Sequence, residues 1–462
     1  MIRSRAQAPN EAQTRAGASK NRRRNQKDTP GTQRWTMLRR VIDRLHSEDE
    51  QVTPLGKRGG GVARRATAEE DIGPRPSRVV GPADVLLAGA VVGLIAFGVV
   101  MVYSASAVFA HARYGDPYHF LVRQGSYALL GIVAMVALAR IDYHRLRAVT
   151  KVFLGIAVVL LLVTVLGFGK TVGGAARWIA VGPINIQPAE IAKIAVIGWL
   201  AYSLSNKADR IKSFSIGTLP HVLIAGAVAG LCYKQPDLGS AVMIGMITLV
   251  LLFTAGAKLG YLIIMGVAAL PLGYLAVATR EYRMRRITAF LDPFAHRFDE
   301  GYQIAESLMS FGAGGVHGVG IGDSRQKLFF LPEAHTDFIS AIIGEELGFV
   351  GFVSLIAVFL FILYRGLRVA YQAKDDYGTY LATGVTVFIG LQALTNLAVA
   401  ISLLPTKGLV LPFVSYGGSA LLVNCAAMGV LLNVSRSRAQ KVVSDSINTV
   451  APSRRVAVGG LS

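Results

Sequence analysis

Cysteine is almost absent from this chain: there are two, Cys232 and Cys425, each alone in an apolar stretch. That excludes a disulfide framework and a cysteine-based metal cluster and leaves two packed thiols. Charge is thin as well, at 16% of 462 residues against 52% hydrophobic residues. Acidic residues are the scarcer sign, 28 against 48 Lys and Arg, for a formal charge of +20. So basic a chain could suggest nucleic acid. Most of the excess, however, lies in the N-terminal extension and in short loops between apolar runs, where basic residues set membrane topology and meet anionic headgroups. Nucleic-acid binding is therefore not expected. Neither is a signal peptide, because the first apolar run begins only near Ala83, after a long charged segment.

What the chain does have is apolar runs of the length that crosses roughly 30 Å of hydrocarbon, about twenty residues each. They fall near 83–105, 123–140, 149–168, 188–206, 215–233, 238–255, 258–279, 338–364, 378–402 and 413–434. The expected fold is an all-α polytopic membrane protein of about ten transmembrane helices. Residues 1–80 are too polar to fold on their own and read as a disordered, basic cytoplasmic extension. Within it, Trp35 to Leu45 has the spacing of a basic amphipathic helix. Residues 81–438 form the membrane domain, and 439–462 a cytoplasmic tail. Ten spans put both termini on one side. The basic loops at Arg140 to Lys151, Lys207 to Lys212 and Arg365 to Lys374 then lie with them in the cytoplasm.

The same topology makes 280–337 a large extracytoplasmic loop between the seventh and eighth helices. Against the usual bias it carries Arg280, Arg283, Arg285, Arg286, Arg297, Arg325 and Lys327. Two readings stay open for these charges. They bind an anionic ligand such as a diphosphate, or they pair with lipid phosphates and local acids such as Glu281 and Asp292. The Gly-rich run Gly312 to Gly322 lacks the context of a phosphate-binding P-loop and reads as a flexible connector. Inside the spans, Glu190 and Lys193 are spaced for an ion pair. Glu345 and Glu346 need partners from other helices. Polar motifs beside Pro or Gly recur at the outer rim, at Arg177-Trp178-Ile179, Lys234-Gln235-Pro236-Asp237-Leu238-Gly239, Pro405-Thr406-Lys407-Gly408 and Pro412 to Ser419. Gln187-Pro188-Ala189-Glu190 belongs with them. Each breaks a helix near the interface, and together they suggest a polar cavity opening outward.

Leu331-Pro-Glu-Ala-His-Thr-Asp-Phe, Ile343-Gly-Glu-Glu-Leu-Gly, Lys234-Gln-Pro-Asp-Leu-Gly and Leu411-Pro-Phe-Val-Ser-Tyr-Gly-Gly-Ser resemble, in order and spacing, the signatures of the SEDS family. These are membrane proteins that polymerise peptidoglycan glycan strands from lipid II. Pro405-Thr-Lys-Gly-Leu and the long basic extension are more similar to the family's cell-division branch than to its elongation branch. The resemblance implies a location in the bacterial cytoplasmic membrane at the septum. It also implies a class B penicillin-binding protein as transpeptidase partner, and divisome regulators. A flippase of the same lipid-linked precursor, an elongation polymerase, and a divisome scaffold with a degenerate site are the competing readings.

The reaction is attack of a sugar hydroxyl on an anomeric carbon with departure of polyprenyl diphosphate. One general base suffices, because the leaving group departs as a stabilised anion that cations, or a divalent ion such as Mg or Mn, can hold. The resemblance places the essential aspartate in a pattern like Asp-Pro-Trp-x-Asp-Pro-x-x-x-Gly-Tyr-Gln. Counted back from Gly301-Tyr302-Gln303, that position is His296. Asp292 is the preferred base, in its Asp-Pro context, with Asp299 and His296 as alternatives. Arg283, Arg286, Arg177, Lys234 and Lys407 are candidate cations for the substrate. Gln235, Asp237, Gln303, Glu333, His335, Asp337 and Ser415 are further candidate contacts. Asp337 has two open readings, as a site group and as the cap of the eighth span.

Overall fold

The structure is a computed structural model that describes residues 81–172, 175–182 and 184–450. The Trp35 to Leu45 helix and the rest of the extension lie outside the described residues, as does the end of the tail. Twelve helices are described: α1 (Val85–Tyr114), α2 (His119–Arg140), α3 (Tyr143–Val163), α4 (Pro188–Ser205), α5 (Leu219–Lys234), α6 (Leu238–Thr254), α7 (Leu259–Ala278), α8 (Glu281–Leu291), α9 (Tyr302–Gly314), α10 (Ile339–Tyr371), α11 (Asp376–Ala400) and α12 (Gly418–Val450). Each expected span has a helix. Eight are long and apolar enough to cross a membrane. The other two are α6, with 17 residues, and α4, which carries the Glu190–Lys193 pair.

Sequence explains the boundaries. Asp84 caps α1 by accepting the Leu87 N–H at 3.1 Å, and Gly115, at φ 73°, ends the helix in the left-handed conformation. Burial then sorts the helices. The apolar window of α11 is 78% buried whereas none of that of α7 is, so α11 belongs to the centre of the bundle and α7 to its lipid-facing rim. Small residues let backbones meet, as in other membrane bundles. A Cβ added at Gly98 of α1 would lie 2.5 Å from the Phe413 carbonyl oxygen.

One departure from the all-helical expectation is a three-stranded antiparallel sheet, β1 (Lys170–Val172), β2 (Ala175–Val181) and β3 (Ile184–Ile186), in the α3–α4 connection. Its middle strand is rich in aromatic and β-branched residues, the composition that suits a pleated surface. The same end of the bundle, the sheet end, also holds α8, α9 and the α11–α12 loop. At the other end Arg365 of α10 donates to both carboxylate oxygens of Asp84 at 2.6 Å. Arg436 donates there to the Ala139 carbonyl at 2.9 Å.

The Gly-rich connector is not free, contrary to the sequence reading. α10 breaks at Gly348, with φ 65° and ψ −165°, and the break exposes carbonyls to which Val319 and Gly320 donate at 3.0 Å. Replacing Gly98 by Val is expected to destabilise the bundle by about 1–3 kcal/mol, because backbone lies against the new side chain. A thermal melt of the detergent-solubilised protein checks this, and an unchanged midpoint would count against the crossing.

Candidate functional site

Prolines and glycines stop helices at the sheet end and release backbone groups that the interior has to satisfy. Asn396, 2% exposed, does much of this. Its side-chain N–H donates to the carbonyls of Asp337 and Leu409, both at 2.8 Å, and its oxygen accepts from Ser340 at 3.0 Å. One amide thus ties the Leu331 to Phe338 segment to the α11–α12 loop. The Tyr416 N–H adds a second tie, donating to the His335 carbonyl at 2.9 Å. Sequence reasoning passed over Asn396, although an amide inside an apolar span was a signal of a polar interior.

Asp337 lies half-buried between these segments, and its carboxylate is pushed up to about 7. Burial is the main cause and the Glu333 charge adds to it, while Arg286 and Arg177 oppose it. It does not cap α10: Phe338 is the cap residue, and no side-chain bond is made there. Arg286 lies over the Tyr282 ring at 4.7 Å and donates to the Thr406 carbonyl at 3.4 Å. Arg177 donates to the Gln235 carbonyl at 3.2 Å. The Lys407 side chain has no hydrogen-bond or ion-pair partner among the described residues, and burial lowers its pKa. Glu333 sits at φ 55°, a strained conformation for a residue with a Cβ, and accepts from Thr336 at 2.6 Å. His335 turns into rings, 4.6 Å from Phe120 and 5.7 Å from Tyr416. Burial lowers its pKa, with Glu333 acting against the shift.

The loop candidates are placed otherwise. Asp292 is exposed and accepts the Ala295 N–H at 3.0 Å, the turn-forming role of Asp before Pro. Asp299 is exposed, with no side-chain partner among the described residues, and His296 is half-buried in the same run of turns. Glu300 faces Arg285 at 3.4 Å, and Arg297 pairs with Glu306 at 3.1 Å, so local pairing accounts for part of the loop's charge. Arg283 is 9% exposed and lies 4.7 Å over the Tyr233 ring. Lys234 is exposed and Gln303 half-buried.

Three other candidates are taken up by structure. Gln235 is 2% exposed and donates to the Leu161 carbonyl at 3.0 Å. Asp237 caps α6, accepting from the Ser240 N–H at 3.0 Å. Ser415 accepts the Leu411 N–H at 2.9 Å inside its turn. Glu190 and Lys193 form a buried pair at 2.7 Å, with the ammonium 5.2 Å from the Phe388 ring, as their spacing suggested.

A family profile described as cell cycle protein, covering FtsW, RodA and SpoVE, matches residues 85–440. The chain belongs to the FtsW/RodA/SpoVE family. A probable peptidoglycan glycosyltransferase FtsW of Geobacter sulfurreducens is 48% identical over 345 residues, 74% of this chain and 92% of that protein. Stage V sporulation protein E of Bacillus subtilis is 41% identical over 355 residues, covering 76% and 97%. Among solved structures, a chain described in a study of a peptidoglycan synthase complex superposes with a TM-score of 0.65 at 27% identity, covering 78% of this chain and 99% of that one. RodA of Thermus thermophilus superposes at 0.58 and 28% identity, covering 77% and 97%. This FtsW/RodA/SpoVE chain thus shares its helical membrane fold with relatives along nearly their whole length.

Among the described residues no group of three His, Cys, Asp or Glu side chains is placed to hold a metal ion. A divalent ion bound chiefly by diphosphate would need only one or two carboxylates. Burial pushes the Asp337 carboxyl up to about 7, where it can exchange a proton near neutral pH. Asp337→Asn is therefore expected to lower polymerisation by about a hundredfold or more, the scale of losing a general base. Asp292→Asn, Asp299→Asn and His296→Gln should stay within about threefold of wild type. A gel assay of glycan products compares all four, and loss confined to the loop variants would move the base back to the loop.

Proposed function

We propose that this family member polymerises peptidoglycan glycan strands from lipid II, with Asp337 as general base. The observation that carries the reading is the half-buried Asp337 carboxylate, pushed up to about 7, with Arg286 and Arg177 near enough to act on its charge and Lys407 next to Thr406, whose carbonyl accepts from Arg286. The attacking sugar hydroxyl gives its proton to Asp337 as its oxygen bonds the anomeric carbon. The bond to polyprenyl diphosphate breaks on the opposite side and the configuration inverts. The departing diphosphate gathers negative charge where the two guanidinium groups and the ammonium can stabilise it. A divalent ion, when bound, would add to that stabilisation.

For such a substrate the sheet end faces outward and both termini are cytoplasmic. The basic loops at the opposite end support this orientation, and all ten spans then cross the bilayer. Identity of 48% to a protein named FtsW, against 28% to RodA, supports a septal role in division rather than elongation. A class B penicillin-binding protein is the partner that would cross-link the strands, and divisome regulators would control the pair. Superposition on a chain from a study of a synthase complex supports the partnership.

Purified full-length protein with its transpeptidase partner, given labelled lipid II in detergent, is expected to make glycan chains. With no bilayer present, flipping alone would leave lipid II unchanged. Because the base must be ionised, and its pKa is raised to about 7, the rate should rise with pH through that region. Below it, the rate should fall about tenfold per pH unit. A flat profile between pH 5 and 8 would remove Asp337 from the role.

A further inference from the structure

The break of α10 at Gly348 leaves two glutamates just before it, each 1% exposed, and both are turned to the segment that precedes Asp337. Glu345 accepts the Arg325 N–H at 2.9 Å and the Gln326 N–H at 3.4 Å, and the Ser324 hydroxyl donates to it as well. Glu346 accepts from Lys327 at 3.1 Å. It also accepts from the Ser104 hydroxyl of α1, at 2.6 and 2.8 Å to its two oxygens. The same lysine donates to the Gly322 carbonyl. The sequence reading assigned these acids partners on other helices, but among the described residues only Ser104 is such a partner. The others belong to the loop.

Backbone pairing seals the arrangement. Beyond the break, Phe349 donates to the Gly315 carbonyl at 2.9 Å and Val350 to that of Val316 at 3.1 Å, adding to the loop's own bonds to the Glu345 and Glu346 carbonyls. Gly318, at φ 83°, has no room for a side chain, since a Cβ would lie 2.2 Å from the Glu346 carbonyl oxygen. The connection then runs directly to the site. The Leu331 N–H donates to the Gln326 carbonyl at 2.9 Å, Leu331 is 4% exposed, and Asp337 follows six positions on.

A buried ion pair is a poor way to gain stability, because an apolar pair of the same volume often does as well. What it provides is a single register, since one wrong step leaves a charge unpaired. We propose that Glu346 and Lys327, seconded by Glu345, are positioning residues that lock the Ser324 to Phe338 segment against α10 and α1 and so hold Asp337 at the reacting centre. The inference rests on the reading of Asp337 as base. The lock acts through the segment and not on the substrate, so it should govern turnover more than binding.

The test compares Lys327→Met, which keeps volume and removes charge, with Lys327→Arg, which keeps both the charge and the pairing. Full-length protein with its transpeptidase partner is assayed over a range of lipid II concentrations, and amide exchange is followed by mass spectrometry. The Met variant is expected to lose about tenfold or more in kcat with KM within about threefold, and the Arg variant to keep at least about a third of wild-type kcat. Amides of residues 331–338 should exchange about tenfold faster in the Met variant while those of α11 do not change. Wild-type kcat in Lys327→Met, or equal loss in both variants, would overturn the proposal. Should Lys327→Met not fold, Glu346→Gln, isosteric and still able to accept from Ser104, replaces it with the same expected loss. If Asp337→Asn remained active, the base assignment would fail, while faster exchange at 331–338 would still report the lock.

Discussion

A helix that stops inside a membrane bundle releases N–H and C=O groups that neither water nor lipid can satisfy, and this constraint shapes the whole sheet end. Among the described residues, the breaks at Gly348, at Leu331 to Phe338 and at the end of α5 are each met by a partner within the protein. Gly348 interrupts α10, and the opened carbonyls take up the Gly-rich loop. The Leu331 to Phe338 and α11–α12 loops meet on the side chain of Asn396, while Arg177 covers the carbonyl left at the end of α5. The irregular backbone that builds a site is therefore tolerated only because buried polar side chains complete it.

Electrostatics follows from the same packing. Asp337 gains its raised pKa chiefly from burial, and its neighbours include charges of both signs. A carboxylate in a cationic pocket open to water would be held low, and one in an apolar pocket would stay protonated well above neutrality. Between those limits lies a group that exchanges a proton near neutral pH. The strained Glu333, at φ 55°, contributes charge to that balance four residues away.

The membrane class, the approximate spans and the polar motifs were legible in the sequence because length, hydropathy and spacing are local properties. The Glu190–Lys193 pair was legible for the same reason, as i,i+3 neighbours on a helix. The placement of the candidate acids was not. Asp292, Asp299 and Asp337 differ in burial and surroundings, which depend on elements far apart in the chain. Gln235 and Asp237 show the converse case, since their motif drew attention while their side chains are taken up by a carbonyl and a helix cap. The small sheet was missed because its two outer strands have three residues each, too short an alternation to read.

The two thiols of this chain are buried and unpaired, so no covalent bridge ties the loops around Asp337. Asn396 is the cross-link in its place. Two amide hydrogen bonds of this kind contribute on the order of 1–3 kcal/mol together, whereas a disulfide can be undone only by a reductant. The ties around Asp337 are therefore hydrogen bonds made by a buried side chain, not covalent links.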